Sequence, residues 1–145
     1  MKIAIGSDHR GFKYKEKLIK FLSKNYEIKD FGTFSEESCG YPDYAYKVAK
    51  AVTSKKFDKG ILICGSGVGI GIAANKVKGI RAALGYSEKA AEFSVRHLNA
   101  NIICFSEDFP IVTIKKAIKK FFSAKFEGGR HLRRIQKIEK IEGER

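Results

Sequence analysis

The sequence predicts an α/β fold, a parallel β-sheet with helices on both faces. Three observations predict it. Short apolar runs alternate with helical stretches along the whole chain, the pattern of parallel strands joined by right-handed crossovers. Residues 60–64 (GILIC) are continuously apolar, as a strand buried on both faces must be. Two of the apolar runs end in turns rich in glycine and polar residues, at 6–11 and 65–71, and ligands of open α/β sheets bind outside the carboxyl ends of the strands. The length of 145 residues suits a single domain with a real core, expected over 1–145.

The elements follow in order. Residues 2–6 read as the first strand and 6–11 as a turn. The helix after it carries Phe12, Leu18, Ile19 and Leu22 near helical spacing, with lysines between them. Residues 26–30 read as a second strand and 31–41 as a loop. Pro42 favours a helix start, so a helix is expected from about Asp43 to Ser54. Strand three is 60–64, followed by the glycine loop 65–71 and a helical IAANK. Residues 80–84 and 101–105 read as strands four and five, with a helix over 86–97 between them. Asp108 is expected to cap the next helix, whose apolar stripe is Ile111, Ile114, Ile118, Phe121 and Phe122. After Gly128-Gly129 a last helix repeats Leu132, Ile135, Ile138 and Ile141 at spacing three. It has no place on a five-stranded sheet, so it is expected to pack on a partner subunit in a homodimer.

Composition excludes several classes. Hydrophobic content of 43% and charged content of 31% are those of a soluble globular chain. No apolar run spans a bilayer, and the first residues enter a strand instead of forming a signal peptide. Cys39, Cys64 and Cys104 form no CxxC pair, which fits a reducing cytoplasm. The net charge of +13 raises the question of nucleic acid. The lysines at 13, 15, 17, 20 and 24, and at 115, 116, 119 and 120, fall in helical stretches, so solvated helix faces account for them and no nucleic acid is expected. Arg130, Arg133 and Arg134 are different, because a guanidinium suits bidentate binding of phosphate oxygens.

The strongest local feature is Cys64 with Gly65-Ser66-Gly67-Val68-Gly69-Ile70-Gly71. Glycines let backbone N–H groups turn inward, and the helix beyond adds the positive end of its dipole. Such a loop holds a phosphate or an oxyanion. It lacks the Gly-Lys-Ser/Thr of a Walker loop, and no acidic ribose partner supports a dinucleotide. Cys64 has two readings: a small buried hydrophobe, or a thiolate favoured by those N–H groups. Cys104 reads as a plain core residue. Asp8 either caps the first helix or joins His9 at a ligand. His97 is near a helix end, where a dipole contact alone would explain it. Cations at 130–134 open a helix, which calls for an anion or an acidic neighbour.

The segments IGSDHRGF, DFGTFSEES, YPDYA, GILICGSGVGIGIAANKVKGIRAAL, HLNANI and FEGGRH, in this order over nearly the whole chain, resemble the ribose-5-phosphate isomerase B and galactose-6-phosphate isomerase family. The resemblance implies a Rossmann-like αβα sandwich. It also implies a sugar-phosphate aldose–ketose isomerase with no metal and no cofactor. The assembly implied is a homodimer or dimer of dimers, with each active site built from two subunits. It implies that Cys64 moves a proton between C1 and C2, that His97 opens the furanose ring, and that Asp8 assists. Gly65, Gly67, Val68 and Gly69 would stabilise the enediolate, with Ser66 on the sugar and Tyr41 near its ring. His9, Arg130 and Arg134 would hold the phosphate.

Three positions depart from the family pattern. Leu98 stands where the family has Asn after the catalytic histidine, with Asn99 a partial substitute. Asp108 stands where it has a phosphate-binding arginine, a charge Arg133 would supply. Gly40 stands where it often has Asp. Ribose 5-phosphate is the leading substrate. A six-carbon sugar phosphate, a non-catalytic phosphosugar binder and a nucleic-acid binder are the alternatives.

Overall fold

The computed structural model describes residues 1–144; Arg145, the last residue of the predicted domain, lies outside the described residues. Five strands, β1 (Lys2–Ser7), β2 (Glu27–Asp30), β3 (Lys59–Cys64), β4 (Ala82–Leu84) and β5 (Ile102–Ser106), alternate with α1 (Phe12–Leu22), α2 (Tyr41–Thr53), α3 (Val68–Asn75) and α4 (Glu88–Leu98). Two more helices follow, α5 (Ile111–Ser123) and α6 (Arg130–Gly143). The sheet is wholly parallel in the order β2-β1-β3-β5-β4. The expected α/β sandwich with a five-stranded parallel sheet is the observed one.

Strand alternation divides the core. Ile3, Ile5, Ile61, Ile63, Ile103 and Phe105 face one way, against buried residues of α1, α4 and α5. Ala4, Leu62, Cys64, Ile102 and Cys104 face the other way, against α2 and α3. This period of two is the strand's own geometry, and both faces need cover because the sheet is parallel. The chain leaves β1 toward β2 and then crosses back to β3, so β1 and β3 are neighbours at the point where the direction of winding reverses. In open α/β sheets this switch point, at the carboxyl ends of the strands, is where a ligand crevice forms.

Three local expectations are corrected. The glycine run is not all loop: α3 begins at Val68, so Gly69 and Gly71 are already helical. Asp108 does not cap α5, whose N-cap is Pro110 with no side-chain cap. A residue preceding proline is kept out of the helical region, so α5 starts beyond Pro110 and Asp108 falls too far from its first N–H groups. The Asp108 N–H donates instead to Ser106 Oγ at 2.9 Å. Lys15 is not on a solvated face either. It is fully buried, its Nζ 2.6 Å from Asp30 Oδ2 and 3.0 Å from Glu16 Oε1, as a buried charge must be paired.

The last helix finds a place within its own chain. It packs on α4 through Ile135, which is buried, and runs past the β4 edge. There Arg81 Nη1 lies 3.7 Å from Glu139, and the Gly79 N–H donates to the Glu142 carboxylate at 3.1 Å. Leu132, Ile138 and Ile141 remain exposed. No helix among the described residues is long and apolar enough to cross a membrane.

Candidate active site

The carboxyl ends of β1, β3 and β5 are tied together by short hydrogen bonds. The Asp8 N–H donates to the Ile63 carbonyl at 3.3 Å, and the Glu107 N–H to the Cys64 carbonyl at 3.0 Å. Ser106 Oγ donates to the Gly65 carbonyl at 2.6 Å. The register aligns Ser7 with Ile63 and Cys64 with Ser106, so Asp8 and Cys64 occupy adjacent strand ends, about 5 Å apart in the pairing direction.

Cys64 is 4% exposed, and its Sγ accepts the Gly67 N–H at 3.1 Å. Gly67 has φ of +78°. A Cβ there would stand 2.7 Å from Leu84 and 2.8 Å from the Phe105 backbone. Glycine is therefore required on two counts, conformation and space. Ser66 is exposed, and its Oγ accepts the Val68 N–H at 3.1 Å, closing the first turn of α3. Tyr41 at the start of α2 lays its ring over Gly69, where a Cβ would come within 2.9 Å of it.

Asp8 is 5% exposed. Its Oδ1 accepts the Arg10 and Gly11 N–H groups at 3.0 and 3.1 Å, so it orders the turn into α1. Its Oδ2 makes no hydrogen bond among the described residues. The Cys39 N–H donates to His9 Nδ1 at 3.2 Å. That contact puts the ring's own proton on Nε2 when His9 is neutral. Sequence reasoning missed Arg10: its guanidinium lies over Gly65, and both Nε, at 2.6 Å, and Nη2 donate to Glu107 Oε1. Its place next to Asp8-His9 was the available signal. Cys104 is fully buried, and desolvation pushes its thiol far up; it is the core residue expected.

His97 lies elsewhere. It is on the last turn of α4, about 13 Å along the axis from the helix start. That end is anchored by Arg81 Nε, which donates to the Leu98 and Asn99 carbonyls at 2.9 and 3.1 Å. Arg81 precedes β4, so His97 is near the amino ends of the strands. It is also on the opposite face from the Cys64 side chain. A single chain therefore does not bring His97 to Cys64 or Asp8. Asn99 takes the left-handed conformation that ends α4, φ +49°.

Around His97 stands a second constellation. His131 stacks on it, centroids 4.2 Å apart and planes 10° from parallel, and Phe93 packs beside it at 4.7 Å. Glu127 Oε1 is 3.8 Å from His97 Nε2 and 3.7 Å from His131 Nε2. Arg96 Nε donates to Glu127 Oε2 at 2.5 Å, and this bond holds the carboxyl below the usual carboxylate range. Desolvation, then the charges of His97 and Arg130, lower the His131 pKa and favour its neutral form. Of the basic residues at the start of α6, His131 is the one Glu127 meets, at 3.7 Å; Arg130, Arg133 and Arg134 line a cavity with Lys137. Sequence reasoning missed Glu127 and His131 as site residues, although both are in FEGGRH.

A cavity of about 480 Å³ links Leu84, Tyr86, Phe93, His97, Leu98, His131 and Arg134. Beside it Arg130, Arg133, Arg134 and Lys137 line a smaller one of about 280 Å³. The lining of this smaller cavity is wholly cationic, the charge that attracts phosphate oxygens. His97, Glu127 and His131 offer three donor atoms within 4.8 Å of one another. Their near-parallel rings aim the lone pairs side by side, and Arg96 holds the other carboxylate oxygen, so the arrangement suits hydrogen bonding better than chelation.

Known proteins resemble the chain over nearly its whole length. It is 42% identical to ribose-5-phosphate isomerase B of Escherichia coli, over 99% of this chain and 98% of that protein. It is 47% identical to a probable ribose-5-phosphate isomerase B of Mycoplasma genitalium, over 98% and 96%. The solved ribose-5-phosphate isomerase B of Clostridium thermocellum superposes with a TM-score of 0.98 at 46% identity, covering 99% of both chains. That of Mycoplasma genitalium with bound ribulose-5-phosphate superposes at 0.93 and 44% identity, covering 99% of this chain and 97% of that one. With residues 3–138 also matching the family model described as ribose/galactose isomerase, the chain belongs to the ribose/galactose isomerase family.

Proposed function

We propose that the protein interconverts ribose 5-phosphate and ribulose 5-phosphate. The observation that carries the reading is Cys64 Sγ at the switch-point crevice, accepting the Gly67 N–H at 3.1 Å at the positive end of α3. Such a sulfur is a base held where an oxyanion would be stabilised. The Cys64 thiolate takes the hydrogen on C2 of the open-chain aldose, leaving an enediolate whose oxygens face the N–H groups of residues 65–69. The O2 proton moves to O1 and the Cys64 thiol returns its proton to C1. Every atom is conserved and no hydride moves, so the step calls on no cofactor or metal.

Asp8, with Oδ2 free, and Ser66 and Tyr41 line the sugar. His97 acts as the acid–base that opens the furanose, and Arg130 and Arg134 hold the phosphate together with His9. These groups occupy two surfaces that one chain keeps apart, so the working site takes Asp8, His9 and Cys64 from one subunit and His97, Arg130 and Arg134 from a second. The exposed Leu132, Ile138 and Ile141 of α6, with Leu98 beside them, give that second copy an apolar face. Arg133 supplies the positive charge that an arginine at position 108 would bring, where this chain has Asp108. A cytoplasmic enzyme with this dimer, or a dimer of dimers, is the assembly proposed.

A six-carbon sugar phosphate is the second reading. Leu98 is 45% exposed and lines the His97 cavity, offering an apolar contact where an amide would bind a hydroxyl. Turnover measured across five- and six-carbon aldose phosphates tests both readings. Ribose 5-phosphate is expected to be the best substrate; preference for a hexose phosphate reverses the order, and no turnover on any of them removes the proposal.

A further inference from the structure

The α4–α6 surface contains a carboxylate that the reaction as described does not use. Glu127 comes just before Gly128 and Gly129, whose φ values of +70° and +57° turn the chain sharply between α5 and α6. The turn brings residue 127 onto the last turn of α4. Its N–H donates to the Arg96 carbonyl at 3.0 Å, and Arg96 Nε holds its Oε2 at 2.5 Å. Backbone and side chain are thus fixed to the residue preceding His97. The remaining oxygen, Oε1, points at the His97 and His131 rings, 3.8 and 3.7 Å from their Nε2 atoms. Contacts of this length commonly shorten when substrate binds.

We propose that Glu127 is a positioning residue for the ring-opening step: its carboxylate orients His97 and supports the imidazolium, while His131 is the flat wall that stops the ring from turning. The proposal rests on the reading of His97 as the acid–base. In furanose opening, O1 gives its proton to His97, the C1–O4 bond breaks as the C1 carbonyl forms, and His97 passes the proton to O4. His97 carries a positive charge between these two transfers. It does so beside Arg96 and the cations of α6, which oppose that charge. Among the described residues Glu127 is the carboxylate paired with the ring, at 3.8 Å, so it offsets them, the role an aspartate has beside an active-site histidine elsewhere. His131, stacked at 4.2 Å and 8% exposed in its side chain, holds the His97 ring in its plane, and the Glu127 contact at Nε2 leaves Nδ1 for the substrate.

The test separates ring opening from proton transfer. Ribulose 5-phosphate is open-chain, because the oxygen that would close its five-membered ring carries the phosphate. Exchange of solvent deuterium into its C1 position needs Cys64 and the glycine loop but no ring opening. In Glu127→Gln, which keeps an oxygen for Arg96, ribose 5-phosphate turnover is expected to fall about tenfold or more. C1 exchange is expected to stay within about threefold of the native enzyme, a difference under 0.7 kcal/mol by RT ln 3. Glu127→Asp is expected to restore part of the turnover. Unchanged turnover in Glu127→Gln, or an equal loss of turnover and exchange, overturns the proposal. His97→Gln is the control: if it turns over ribose 5-phosphate normally, or loses exchange along with turnover, the fault is in the reading of His97.

Discussion

The crevice at β1 and β3 is made largely of backbone, whereas the α4–α6 surface is made of long side chains. In the crevice, Cys64, Gly67 and Asp8 are held by strand ends and by turns with one allowed geometry. On the α4–α6 surface, His97, Glu127, Arg130 and Arg134 project from helix ends, held by ion pairs and ring stacking. The difference teaches a division of labour. Proton transfer between adjacent carbons tolerates little displacement, and on the proposed reading its donors and base are built into the sheet. Holding a mobile dianion needs charge and reach, which arginines on a helix supply.

The largest test of that division is at the base. Cys64→Ala is expected to cut turnover at least about 100-fold with little change in KM, measured by steady-state kinetics; near-normal turnover would remove Cys64 as the base. The second acts on the other surface. Arg134→Ala, and separately Arg130→Ala, are expected to raise KM about 10- to 100-fold, the range of a lost charge-assisted hydrogen bond, with a smaller effect on kcat. Equal losses in both constants would mean that the arginines act on the reacting carbons.

A third prediction concerns rigidity. Gly67→Ala forces a side chain into a left-handed position against Leu84 and Phe105 and is expected to cost about 1–3 kcal/mol of stability, read by denaturant unfolding. Arg133→Ala, on the exposed side-chain surface, is expected to cost under about 0.5 kcal/mol. Comparable losses would erase the contrast between the regions. The smallest effect is with pH. Glu127 titrates below its unfolded value of about 4.3 because of Arg96. Its contribution is therefore complete above that value and is lost as pH falls through the lower folded value. The melting-temperature difference between the native protein and Glu127→Gln is expected to shrink from pH 5 toward about pH 3; a difference growing with acid would contradict the pairing.

The sheet was legible in the sequence because GILIC and NIICF carry their burial in their composition, and the strand alternation follows from it. The crevice was legible for the same reason: glycine and cysteine past a buried strand mark a place where backbone meets ligand. Lys15 was misread because its partner Asp30 is on another element, and helical periodicity does not record that. Asp108 was misread because Pro110 moved the helix start. The role of Arg10 over Gly65 and the clamp of Glu127 on α4 depend on contacts between residues 97 and 31 positions apart, which no local pattern encodes.

The central claim is that one catalytic site needs both regions, each from a different copy. Mixing inactive Cys64→Ala and His97→Gln proteins, with subunit exchange, tests it directly. Random pairing gives half heterodimers, each with one intact site out of two, so about one quarter of native activity is expected to return. No recovery from a mixture in which heterodimers have formed would contradict the account and put Cys64 and His97 to work within one chain.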